Sequence, residues 1–172
     1  MKSLRRTLLA VFLIAGFGAW FWLLRLERSY REEPFSLIED GLYLGSSVAE
    51  PPPGTTAVLN LCGRKDPYAV DALLWEPILE GGKEPDLDWL RRMIEFIDSQ
   101  QREGHITFVH CMAGMNRSGM VVTAYLMFKH NWPRDKALDF VKGKRPQIQP
   151  NPPLMRLLAQ WEKALLEQAG KK

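Results

Sequence analysis

Cysteine is scarce in this sequence, and its scarcity excludes two classes of small protein. The 172 residues contain two cysteines, Cys62 and Cys111, which lie far apart in the chain. Two thiols cannot form the disulfide framework of a small secreted domain, and no C-x-x-C pair is present for a structural zinc site. The function of each cysteine therefore has to be inferred from its own neighbours.

The chain also has no excess of positive or negative charge beyond its first 24 residues. The chain holds 23 Lys and Arg against 20 Asp and Glu, for a formal net charge of +3. Lys2, Arg5 and Arg6 account for the excess, because residues 1–24 contain no acid. A balanced body has no basic face for nucleic acid, so we predict that nucleic acid is not a partner.

One long apolar run occurs near the N-terminus. Residues 7–24, TLLAVFLIAGFGAWFWLL, carry no charge, and a bilayer-spanning helix needs about 17–25 residues. Trp20 and Trp22 fall near its second end, where amphipathic rings favour the membrane interface. We predict a single-pass transmembrane helix within an anchor and flank over residues 1–30, followed by a globular domain over residues 31–172. A cleaved signal peptide and a buried core helix are the alternatives.

The globular part alternates between two kinds of apolar pattern. Asp40-Gly41 joins two apolar runs and predicts a hairpin turn within residues 35–47. Short β-branched runs predict buried strands over 56–61 and 106–110. Helical spacing or a start at proline predicts helices over 86–102, 119–130, 133–142 and 154–168. Strands interspersed with helices predict an α/β fold.

The stretch HCMAGMNRSG, residues 110–119, joins a predicted strand to a predicted helix. The unpaired N–H groups and the dipole at a helix start favour a bound anion. Gly114 permits a positive φ in mid-loop, and Arg117 can hold two oxygens of one anion. The residues predicted to bind phosphate are Met112, Ala113, Gly114, Met115, Asn116 and Arg117.

Cys111 lies at the floor of this loop. The groups that bind phosphate also stabilise a thiolate, and such settings lower a cysteine pKa from about 8.5 to roughly 3.5–7.5. A phosphate cradle alone needs no cysteine, and a nucleophilic cysteine alone needs no Arg117. Together they predict attack of sulfur on a bound phosphorus. A Walker-type loop would need G-K-[ST], a papain-like hydrolase would need a separate histidine base, and zinc would need further ligands.

The pattern C-x-x-x-x-x-R-[ST] between strand and helix resembles the cysteine-dependent protein phosphatases, especially the dual-specificity branch. Four further segments are similar to recurrent segments of that branch, in order: GLYLGS (41–46), AVLNL (57–61), AYLM (124–127) and RPQIQPN (145–151). The resemblance covers about residues 35–168, so it identifies 31–172 as the catalytic domain. It implies a central mixed, mainly parallel five-stranded sheet flanked by helices. It also implies a phosphocysteine intermediate and neither a metal nor an organic cofactor.

The resemblance further implies a role for each matched residue. Cys111 would be the nucleophile, and Arg117 with the loop amides would bind the transferring phosphoryl group. Ser118 would hydrogen-bond the sulfur and ease its departure. His110 would be structural and bond the backbone around the cysteine, and Asn151 would support the loop or cap the last helix.

The acid for the leaving group is where this sequence departs from the family. The branch usually supplies an aspartate from a mobile loop upstream of the cysteine. Aligning ILEG, residues 78–81, with the family's I-x-D-G places Glu80 at that position. Asp86 is an alternative, although it lies where a helix begins and would naturally cap it. The remaining alternative is that there is no dedicated acid.

The loop side chains bear on the substrate. Inositol-lipid phosphatases of this superfamily typically carry lysines in the loop, and this chain has Met112 and Met115 instead. The resemblance, together with the apolar run over residues 7–24, therefore predicts a membrane-anchored phosphatase for phosphotyrosine and phosphoserine/threonine in proteins. A lipid phosphomonoester phosphatase and a non-catalytic phosphate-binding module are the alternatives. A reactive thiolate favours a cytosolic catalytic domain, while the flanking charges leave the anchor's orientation open.

Cys62 follows a strand that should lie beside the strand leading to Cys111. Its sulfur is therefore expected near Cys111, where it can trap an oxidised Cys111 as a disulfide. A buried, inert thiol is the alternative.

Overall fold

The computed structural model describes residues 33–78 and 84–170. The described strands are β1 (Phe35–Glu39), β2 (Leu42–Ser46), β3 (Ala57–Asn60), β4 (Ala72–Trp75) and β5 (Thr107–Cys111). The described helices are α1 (Leu87–Arg102), α2 (Arg117–His130), α3 (Arg134–Lys144) and α4 (Pro152–Ala169). All of these elements belong to a compact unit that begins at Pro34.

The five strands form one sheet in the order β1-β2-β5-β3-β4. β1 and β2 make an antiparallel hairpin, whereas β2, β5, β3 and β4 run parallel. The prediction of a mixed, mainly parallel five-stranded sheet flanked by helices is confirmed. Because parallel strands end at the same edge, Ser46 of β2 lies in register with Cys111, and Asn60 of β3 with His110.

Local sequence explains where several elements begin and end. Gly41 in the hairpin turn has φ +73°, a conformation that glycine adopts without strain. Asn131 ends α2 in the left-handed region with φ 52°. Asn151 caps α4, since its side chain accepts from the N–H of Leu154, and Pro152 occupies the first turn.

The core lies between the sheet and the helices. β5 is buried along its whole length, and α2 is buried from Ser118 to Met127, which explains its nearly continuous apolar sequence. α1 and α4 are amphipathic, and each turns one apolar face inward. Their buried apolar residues are Leu90, Met93, Ile94 and Ile97 of α1, and Leu154, Leu157, Leu158 and Trp161 of α4. The buried α2 is thereby held rigidly at the end of β5.

Some boundaries differ from the expected ones. β4 was not expected from its residues, because ALLW is short, has no β-branched residue and leaves Leu73 and Trp75 exposed. α2 begins at Arg117, and α4 begins at Pro152, each two residues before the apolar pattern starts.

The anchor predicted for residues 1–30 lies outside the described residues. Within 33–78 and 84–170, no helix has both the length and the apolar character for a bilayer span.

Candidate active site

The predicted phosphate loop connects the last residue of β5, Cys111, to the first residue of α2, Arg117. Gly114 sits in the middle with φ +65°. A Cβ at this position would lie 2.4 Å from the backbone carbon of Gly45, so β2 leaves no room for a side chain. Gly114 is therefore required both for its conformation and for close packing of the loop against β2.

Cys111 is buried, and its Sγ lies 3.2 Å from Oγ of Ser118. Burial by itself raises the pKa of the thiol. The hydroxyl and backbone N–H of Ser118, the charge of Arg117 and the backbone N–H of Gly114 outweigh burial and lower the pKa of Cys111 below its ordinary value. The loop thus favours a thiolate at the start of α2.

Arg117 is held from the far side of the loop. Its Nη1 donates to the carbonyl of Ile78 at 2.7 Å and approaches the carbonyl of Leu61 at 3.5 Å. Both carbonyls lie just beyond the carboxyl ends of strands β4 and β3. The side chain is therefore fixed by the sheet edge, with its charge close enough to stabilise the Cys111 thiolate.

The segment RPQIQPN supports the loop from below. Arg145 is almost fully buried, and its Nε donates to the carbonyl of Gly114 at 2.8 Å. The backbone N–H of Gln149 donates to the carbonyl of Met115, and that of Asn151 donates to Oδ1 of Asn116. Asn151 thus both caps α4 and supports the loop. The sequence analysis predicted no role for Arg145, although this residue begins a segment that recurs in the family.

A buried polar network lies behind the cysteine. Nε2 of His110 is 3.2 Å from Oδ2 of Asp66, and Nδ1 is 3.7 Å from Sγ of Cys62. Because a carboxylate only accepts hydrogen bonds, Nε2 carries the proton. Both ring nitrogens contact side chains rather than the backbone groups that were expected. Successive residues of a strand face opposite sides of the sheet. The His110 ring therefore points away from the side that Cys111 faces, and it meets the side chains of Asp66 and Cys62 there.

Cys62 lies in this network and behaves differently from Cys111. Burial, followed by the neighbouring Cys111, raises the pKa of Cys62 to about 11. Cys62 is therefore a neutral thiol at physiological pH. Both cysteines are free, and Cys111 is near enough to raise the pKa of Cys62.

The two candidates for the general acid are Glu80 and Asp86. Glu80 lies outside the described residues and stays a prediction. Oδ1 of Asp86 accepts from the N–H of Trp89 at 2.9 Å and caps α1, as its position at the helix start suggested. In residues 33–78 and 84–170, no three His, Cys, Asp or Glu side chains are grouped as a metal site requires.

Known proteins are similar to this chain in sequence and in fold. The family model of the dual specificity phosphatase catalytic domain matches residues 54–164. Dual specificity protein phosphatase 1 of Arabidopsis thaliana is 34% identical over 152 residues, which cover 83% of this chain and 77% of that protein. This chain belongs to the dual-specificity phosphatase family.

Two further relatives resemble this chain, one in sequence over a shorter segment and one in its crystal structure. Dual specificity protein phosphatase 16 of Homo sapiens is 33% identical over 111 residues, so the match spans 64% of this chain but 17% of that longer protein. A crystal structure of a mouse putative dual specificity phosphatase, complexed with zinc tungstate, superposes with a TM-score of 0.72 at 28% identity. That superposition covers 79% of this chain and 91% of the mouse chain. This chain therefore matches most of the mouse phosphatase structure but less than a fifth of the longer human relative.

Proposed function

We propose that this chain hydrolyses phosphomonoesters through a phosphocysteine intermediate. The observation that carries the proposal is the joint placement of a low-pKa Cys111, the Ser118 hydroxyl and a fixed Arg117 around one helix start. A binding module needs the anion cradle, but it has no use for a stabilised thiolate. The combination therefore supports turnover over binding alone.

The reaction proceeds in two displacements. A lone pair of the Cys111 sulfur attacks phosphorus, the bond from phosphorus to the leaving oxygen breaks, and Glu80 donates the proton that this oxygen takes up. Arg117 and the loop N–H groups stabilise the charge on the equatorial oxygens. Water then attacks phosphorus, with Glu80 as the base, and the sulfur–phosphorus bond breaks. The Ser118 hydroxyl donates a hydrogen bond to the departing sulfur and keeps its proton, so phosphate is released and the Cys111 thiolate is restored.

The preferred substrates are phosphotyrosine and phosphoserine/threonine in proteins. Met112 is about half exposed at the loop and offers an apolar contact next to the nucleophile. The loop has no lysine to bind a multiply phosphorylated inositol head group. A lipid phosphomonoester is the second candidate, because an anchor over residues 7–24 would hold the domain at a membrane surface.

Turnover of a small aryl phosphate by the full-length chain tests the activity. Vanadate-sensitive hydrolysis supports the enzyme, and binding of the phosphate without hydrolysis would contradict it. Phosphotyrosyl and phosphoseryl peptides, compared with vesicles that contain a lipid phosphomonoester, separate the two substrate classes. Higher kcat/KM for the peptides is expected, and the reverse order would favour the lipid.

The proposal also puts the catalytic domain on the cytosolic side of the membrane. The chemical support is that a low-pKa thiolate survives best in a reducing compartment. Protease protection in intact membranes measures the side directly. Digestion of the domain from the cytosolic side is expected, and full protection would contradict the placement.

A further inference from the structure

The turn after β3, residues 62–66, is built rigidly although its tip is exposed. Asn60 is fully buried, its Oδ1 accepts from the N–H of Cys62, and its Nδ2 donates to the carbonyl of Arg64. The same Nδ2 donates to Oδ2 of Asp66, which also binds His110. These bonds fix the backbone of the tip before any ligand arrives, which lowers the entropic cost of binding.

Two basic side chains project from this fixed tip. Arg64 and Lys65 are exposed, and neither forms an ion pair with a residue in the described ranges. The adjacent carboxylate of Asp66 is nearly inaccessible, because it is committed to Asn60 and His110. Asp66 therefore does not pair with the positive charges that the turn presents to solvent.

Arg64 reaches the rim of the phosphate loop. Its Nη2 lies 3.5 Å from Oγ of Ser47, and the backbone N–H of Ser47 donates to the carbonyl of Met112 at 3.3 Å. Lys65 lies over the ring of Trp75, with Nζ 5.3 Å from the centroid, so it flanks the same edge of the sheet.

We propose that Arg64 and Lys65 form a second anion subsite, which selects protein substrates with an acidic side chain or a second phosphate near the phosphorylated residue. Each residue of an extended peptide spans about 3.3 Å, so a neighbour one or two residues away reaches the rim while the phosphate occupies the loop. The inference rests on the proposed function and names its substrate class. The fixed turn sets where the anion must lie.

The test uses the full-length chain and two phosphotyrosyl peptides that differ only in flanking residues, aspartate against asparagine. The readout is the ratio of kcat/KM for the acidic peptide to that for the neutral one, because this ratio cancels changes in the chemical step. An exposed ion pair gives about a two- to fivefold preference per contact. Arg64→Ala and Lys65→Ala should each move the ratio toward one, and Arg64→Glu, whose charge cancels that of Lys65, should bring it to about one. Lys163→Ala, which removes one charge from an exposed position on α4, is the matched control and should leave the ratio unchanged.

Three results would overturn the inference. One is a ratio that Arg64→Glu leaves unchanged, and another is a ratio that Lys163→Ala lowers equally. The third is loss of turnover on phosphoinositide vesicles in Arg64→Ala with both peptides unaffected, which would assign the charge to a lipid head group. Equilibrium binding of both peptides to the Cys111→Ser variant separates this inference from the proposed function. If Cys111→Ser binds the acidic peptide preferentially while the unsubstituted chain hydrolyses neither peptide, the subsite is kept and the phosphatase is refuted.

Discussion

Removing the Ser118 hydroxyl should separate the two halves of the reaction. Oγ lies 3.2 Å from Sγ of Cys111, and both atoms are buried, so water does not replace the bond when it is lost. A hydrogen bond to a charged group contributes about 1.5–3 kcal/mol. Since about 1.36 kcal/mol is a tenfold change in rate, Ser118→Ala should slow breakdown of the phosphocysteine by roughly 10- to 150-fold. The first displacement needs no help for a departing sulfur and should be slowed less.

Rapid-mixing kinetics with an activated aryl phosphate measures this difference. Ser118→Ala should release one equivalent of phenol per active site in a burst and then turn over slowly. The variant also loses a bond that lowers the pKa of Cys111, so alkylation of the thiol by iodoacetamide should need a higher pH. Thr123→Ala is the matched control, because its buried hydroxyl on the same helix donates to the carbonyl of Gly119. A steady-state rate for Ser118→Ala equal to that of the control, with no burst, would refute the role of Ser118.

Three further predictions address groups around the loop. Mild peroxide should oxidise Cys111 to a sulfenic acid, which the Cys62 sulfur then attacks with loss of water; peptide mapping that finds Cys111 oxidised and Cys62 free contradicts this. Glu80→Gln should slow hydrolysis of an alkyl phosphate by about 10²–10⁴-fold and of an activated aryl phosphate much less, so small and equal effects would exclude Glu80. Arg145→Met should lower the free energy of unfolding in urea by about 1–3 kcal/mol, because the carbonyl of Gly114 loses a buried donor, and an unchanged midpoint argues against that contact.

Short-range patterns were sufficient to predict the strand, loop and helix that carry Cys111. The β-branched run before it has the length of a buried strand, and the longer apolar run after it has the length of a buried helix. β4 escaped prediction because a four-residue edge strand without β-branched residues has no such pattern. Its place in the sheet depends instead on pairing with β3, which is a tertiary contact.

The loop itself was predictable, but the groups that hold it in place were not. Arg145 reaches the carbonyl of Gly114 from 31 residues away, and Asp66 reaches His110 across 44 residues. Bonds between residues so distant leave no periodic trace in a sequence. The need for glycine at position 45 is of the same kind, since a Cβ there would meet the carbonyl of Pro34 at 2.5 Å. Only the folded chain shows why these residues are needed.

The central claim is that the sulfur of Cys111 takes up the phosphoryl group. A rapid denaturing quench of Ser118→Ala during turnover, followed by peptide mass spectrometry, measures the intermediate directly. The account predicts one phosphoryl group on the peptide that contains Cys111, and neither the adduct nor turnover in Cys111→Ser. A phosphoryl group on any other residue, or substantial hydrolysis by Cys111→Ser, would contradict it.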